Sequence, residues 1–163
     1  MTDPQRPSEN LALLDQFRHL AAVSLSLEEL QAAIVHAAAQ HFSHFSWTGF
    51  YMLDASEPEM LVLGPFVGEP TPHVRIPVSQ GICGAAVASG ETVVIDDVGS
   101  DPRYLSCSIK TRSEIVVPIY ANGKIVGEID IDSHDPAAFK QADRVFLEEA
   151  ARIVGSYIEG HPV

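Results

Sequence analysis

Five residues of this chain have the types and spacing for chemistry: Cys83, Cys107, Glu114, Asp130 and Asp132. Cys107 sits between Ser106 and Ser108 in the polar stretch "GSDPRYLSCSIKTR", with Arg103, Lys110 and Arg112 nearby. Neighbouring cations favour the thiolate, the nucleophilic form of cysteine. Cys83, in "GICGAAV", opens a short predicted helix whose unpaired backbone N–H groups also lower a thiol's pKa. Asp130 and Asp132 are two apart on one predicted strand and share a face, while Glu114 begins the strand paired with it. Carboxyls crowded on one face repel, which raises at least one pKa. Such a group can hold an ammonium and, when protonated, deliver a proton at neutral pH. A thiolate beside it points to redox or nucleophilic chemistry. Two plainer readings stay open on the residues alone. Cys83 can be core filler with Cys107 an incidental surface thiol, and the acids can be a solvated sheet face.

The elements that must position these groups follow from hydrophobic periodicity. Residues 1–9 read as a flexible tail and 10–160 as one domain. Leu11, Leu14, Phe17, Leu20 and Ala21 recur at helical spacing, and a second helix starts with Ser26 as N-cap and Glu28 and Glu29 in its first turn. "WTGFYMLD", "EMLVLGPF" (ending at Gly64-Pro65) and "HVRIPV" read as strands, "SQGICGAAVASGE" as a short helix stopped by Gly90, and "TVVIDDV" as a strand. The polar loop after it has room for one helical turn. "SEIVVPIYANGKIVGEIDIDS" is a hairpin, because Asn-Gly between alternating apolar runs is the strongest short-range hairpin signal. A terminal helix, "ADRVFLEEAARIVGSYIEG", carries Val145, Phe146, Ala150, Ile153, Val154 and Tyr157 on its apolar side. This order predicts an α+β domain: one antiparallel sheet with the N- and C-terminal helices on one face and a ligand pocket on the other, beneath the Cys107 loop.

Bulk properties narrow the partners. The 163 residues suffice for one core, and the net charge of −12 with ten basic residues argues against nucleic acid and anionic membranes. No apolar run approaches the roughly 18 residues of a membrane span, and no secretory leader is evident, so a cytoplasmic protein with reduced thiols is expected. His36, His41 and His44 cluster around the end of the second helix but lack a metal-ligand motif, and no metal or cofactor is expected. P-loop, dinucleotide and G-x-S-x-G patterns are missing.

The segments "DDVGSDPRYL", "SEIVVPI" and "GKIVGEIDIDS" resemble GAF domains. More narrowly, "LVLGPFVGEP", "VRIPVSQGICGAAV", "CSIKTRSEIVVPI" and "GEIDIDS" resemble the free methionine-(R)-sulfoxide reductases, single GAF domains, over roughly residues 10 to 158. That resemblance implies Cys107 as catalytic cysteine and Cys83 as a motif cysteine able to act as resolving thiol. Glu114, Asp130 and Asp132 would hold the substrate and assist proton transfer. Trp47 and Tyr51 would wall the S-methyl end of the pocket, although such aromatics also serve as core. The resemblance further implies free methionine sulfoxide as substrate, a thioredoxin-type reductant and a homodimer. Where family members commonly carry a third cysteine, ten residues before Cys83, this chain has His73, so turnover needs Cys83 or an external thiol. "DPRY" before Cys107 is closer to sensory GAF domains, and a non-catalytic small-molecule sensor is the alternative.

Overall fold

The computed structural model describes residues 6–105 and 108–162. Cys107 and its neighbour Ser106 lie outside the described residues. In chain order the elements are α1 (Arg6–Val23), α2 (Leu27–His41), β1 (Trp47–Leu53), β2 (Met60–Val67), β3 (Arg75–Pro77), α3 (Gly81–Ser89), β4 (Val93–Ile95), β5 (Ser113–Ala121), β6 (Lys124–Ser133) and α4 (Gln141–Gly160). Residues 98–100 form a single 3-10 turn in the loop after β4. The sheet has the order β3-β2-β1-β6-β5-β4, with every pairing antiparallel.

Local chemistry accounts for most element ends. The Ser26 hydroxyl accepts the Glu29 backbone N–H at 3.1 Å, which caps α2. The β5–β6 hairpin turns at Asn122 and Gly123, with φ of 52° and 76°, the double left-handed step of a type I′ turn. Three expectations need correction. α1 starts at Arg6, so residues 6–9 of the expected tail are helical. β2 runs past Gly64-Pro65 to Val67, because those two residues bulge opposite Phe50 of β1 and the proline needs no ladder partner there. Val145, placed on the apolar side of α4, is 55% exposed.

The sheet separates two apolar layers. On one face Phe50, Ile115, Val117, Ile119, Ile129 and Ile131 pack beneath α1, α2 and α4, with α1 lying against α4. On the other, Trp47, Tyr51, Leu61, Ile76 and Val116 meet Ile82, Cys83 and Ala86 of α3. Strand alternation therefore sends Ile129 and Ile131 to the helical layer and the residues between them to the α3 side. That side holds the chemistry.

Candidate active site

The central strand β6 lays three acids in a row on the α3 side: Glu128, Asp130 and Asp132. Glu114 joins them from β5, directly opposite Asp132, while Val116 lies opposite Asp130. From β1, Trp47 pairs with Asp132, Gly49 with Asp130 and Tyr51 with Glu128. α3 closes the arrangement from above. Gly84 lets the first turn of α3 fold back on the segment that leads into it, where a Cβ would meet the Val78 carbonyl oxygen at 2.6 Å. Cys83 in that turn faces the sheet, its Sγ donating to Asp130 Oδ2 at 3.5 Å.

All four carboxyls are buried, none more than 4% exposed, which rules out a solvated acidic face. Burial is the main cause pushing each pKa above the usual carboxylate range, most strongly for Glu114, Glu128 and Asp132. Asp130 and Asp132, by charge and by hydrogen bonding, raise Glu114 further. Asp130 Oδ1, Asp132 Oδ1 and both Glu128 oxygens have no hydrogen-bond partner in suitable geometry. Glu128 still interacts electrostatically with the Cys83 thiol. Among the described residues, no Lys or Arg stands among the causes of the shift at any of the four.

Cys83 differs from expectation. Burial, then the negative charges of Asp130, Glu128 and Glu114, push its thiol well up, overriding the helix N-terminus. It is a thiol, not a thiolate, in the resting state. Two of the cations expected to favour thiolate at Cys107 are also engaged elsewhere: Arg103 pairs with Asp101 at 2.8 Å and Lys110 with Glu69 at 3.1 Å.

Two small crevices flank the acids. One, of about 10 Å³, is lined by Ile76, Gly81, Ile82, Cys83, Leu105, Glu114 and Asp130. The other, of about 30 Å³, has Asp132, Trp47, Glu69, Ser108 and Thr111 among its walls. Leu105 and Ser108, on either side of Cys107 in sequence, thus line the two crevices. Trp47 is a wall as expected; it stacks on Phe66 at 5.4 Å and its indole N–H donates to the Glu69 carbonyl at 3.1 Å. Gly49 makes room for that ring, since a Cβ would meet it at 2.5 Å. Tyr51 lines neither crevice; it is fully buried, and its hydroxyl donates to the His73 carbonyl at 2.8 Å. A larger groove of about 410 Å³, between α4 and the β4–β5 edge, lies away from these groups, and its Glu148 is paired with Arg144 at 2.8 Å.

The structure therefore brings Cys83, Glu114, Asp130, Asp132 and Trp47 together. Glu128 is the member that sequence reasoning missed, although "EIDID" places it two residues before Asp130 on the same face. The three histidines do not converge: His36 bonds the Ala32 carbonyl, His41 bonds Asn10 and His44 bonds Asp143. No helix among the described residues is long and apolar enough to cross a membrane.

Comparison with known proteins agrees with this geometry. The profile of the GAF domain family matches residues 24–159. A Saccharomyces cerevisiae protein named free methionine-R-sulfoxide reductase is 39% identical over 130 residues, 79% of this chain and 72% of that protein. Protein YtsP of Bacillus subtilis is 44% identical over 106 residues, 65% of this chain and 64% of its own. The X-ray structure of free methionine-R-sulfoxide reductase from Neisseria meningitidis in complex with its substrate aligns with a TM-score of 0.89 at 34% identity, covering 98% of this chain and 93% of that one.

Proposed function

The chain belongs to the GAF domain family, and from that premise we propose that it reduces free L-methionine R-sulfoxide to methionine. The observation that carries the reading is the buried row of acids beside a thiol with no cation among them. An ammonium group supplies the missing positive charge, and a carboxyl kept protonated supplies a proton where the sulfoxide oxygen needs one. The names of the Saccharomyces and Neisseria proteins support the same substrate.

In this reading Asp130 and Asp132 hold the ammonium, and Trp47 shields the S-methyl end. Cys107, assigned by resemblance, attacks the sulfoxide sulfur as thiolate while Glu114 protonates the oxygen. The transient bond between the two sulfurs and the S–O bond then break as the protonated oxygen passes to Cys107, so methionine leaves with its sulfur reduced by two electrons and Cys107 becomes a sulfenic acid. Cys83 then attacks the Cys107 sulfur, and its proton passes through Asp130, its hydrogen-bond partner at 3.5 Å, to the departing hydroxyl, which leaves as water. A thioredoxin-type dithiol reduces the resulting disulfide by exchange. Raised thiol and carboxyl pKa values suit this order, because Cys83 stays an unreactive thiol until its step. Methionine sulfoxide is larger than either crevice, so binding has to part their walls.

Turnover of the R- and S-sulfoxides with dithiothreitol and with thioredoxin tests the proposal. R-selective activity lost in Cys107→Ser under both reductants is expected, and Cys83→Ser should fail only with thioredoxin. An active Cys107→Ser would refute the assignment, and no turnover with either reductant would leave a GAF domain kept for ligand binding. A reducing cytoplasm and a homodimer paired through α1 and α4 complete the proposal; light scattering at two concentrations checks the dimer.

A further inference from the structure

Cys83, Glu114 and Asp130 bring a thiol sulfur and two carboxyl oxygens within 4.8 Å of one another, all buried. We propose that this cluster is also a binding site for a thiophilic divalent cation of the zinc class, held by Cys83 Sγ and one oxygen each from Glu114 and Asp130. The first support is space. The same three residues line the crevice of about 10 Å³, the scale of an ion or a single water.

The second support is unmet coordination. Asp130 Oδ1, in the crevice wall, has no partner, nor does either oxygen of the fully buried Glu128 beside Cys83. The donor chemistry selects the ion. Calcium and magnesium take all-oxygen shells, whereas one sulfur with two oxygens suits zinc and its neighbours in the transition series. Three protein ligands leave a fourth position open. The ligands stand on β5, β6 and the first turn of α3, elements that already hold their spacing. On binding, the Cys83 thiol and the Glu114 carboxyl release their protons to solvent, and a sulfur lone pair and a carboxylate oxygen form the bonds to the ion.

The site shares acids with the proposed methionine sulfoxide pocket, but the inference rests on the donor set and not on that reading. Its test accordingly uses no turnover. The reduced full-length chain carrying Cys107→Ser is titrated anaerobically with Co²⁺, read by the near-ultraviolet sulfur-to-cobalt charge-transfer absorption, and then with Zn²⁺. One equivalent of Co²⁺ should give the band and Zn²⁺ should abolish it. Cys83→Ser in the same background should remove the band. Asp130→Asn, which keeps the sulfur, should weaken Co²⁺ binding by at least about tenfold. Circular dichroism verifies the fold of each variant, and if Cys83→Ser does not fold, the Asp130→Asn affinity decides. No band in the Cys107→Ser protein, a band that survives Cys83→Ser, or an unchanged affinity in Asp130→Asn would overturn the site.

Discussion

Replacing Glu128 with glutamine should change how stability depends on pH, and by a calculable amount. Glu128 is fully buried on β6, and burial holds its carboxyl well above the ordinary value of 4.5. The native state therefore keeps a proton that the unfolded chain gives up as pH rises past that value. A raised acid contributes its full stability below the unfolded pKa and loses it as pH climbs towards the folded one. One such proton contributes at most a little over 1 kcal/mol per pH unit, or at most roughly 3 kcal/mol between pH 5 and 7. Glutamine has nearly the same volume and does not titrate. Its amide adds its own burial cost, but that cost is constant with pH and cancels when two pH values are compared. Urea unfolding of wild type and Glu128→Gln at pH 5 and pH 7 measures the difference. The variant should gain on wild type across that interval, by up to roughly 3 kcal/mol, equivalent to about 6–12 °C in Tm for a chain of this size. Parallel stability curves would mean that Glu128 is ionised or solvated in the folded protein, and the buried carboxyl row would have to be redrawn.

Other outcomes follow from the same geometry. In a Cys107→Ser background, Cys83 should react with a thiol-specific disulfide reagent at least about a hundredfold more slowly in the native than in the denatured protein, since its thiol is buried and protonated; equal rates would contradict its place beneath α3. Gly49→Ala drives a methyl into the Trp47 ring and against Phe66 Cβ at 2.9 Å, and should cost about 1–3 kcal/mol in chemical denaturation while shifting the Trp47 fluorescence maximum. Gly123→Ala, at φ 76° in the hairpin turn, should cost about 1 kcal/mol without altering that fluorescence, because nothing lies within 4 Å of the added carbon.

How much of this was legible in the sequence depended on range. Local signals were read correctly where the chemistry is local: Ser26 at the start of α2, Gly90 after α3, and Asn122-Gly123 between β5 and β6. Period-two alternation placed Asp130 and Asp132 on one face against Ile129 and Ile131. It did not disclose which neighbouring strand would stand beside them. The pairing of β1 with β6, which sets Trp47 against Asp132, is a contact between residues distant in sequence. The behaviour of Cys83 was misjudged for the same reason. Its helix position is visible in "GICG", but the acids that dominate its ionisation arrive from two strands far along the chain. Glu128 shares the alternation of Asp130 and Asp132, but nothing within the strand shows that α3 packs over that face. Tyr51 was credited with a pocket wall, yet its hydroxyl turns to the backbone at His73.

The two-residue turn at Asn122-Gly123 also bears on the order in which the molecule assembles. The β5–β6 pairing spans the shortest loop of any in the sheet, whereas β1 reaches β6 only across the intervening chain. Short loops close at the least entropic cost, so this hairpin is the cheapest long-lived piece of the sheet to form. It is also the piece that sets Glu114 opposite Asp132. Like charges meeting across a nascent hairpin oppose its closure. The acidic row thus burdens the path to the native state as well as the native state itself, and residues suited to chemistry work against rapid acquisition of the fold.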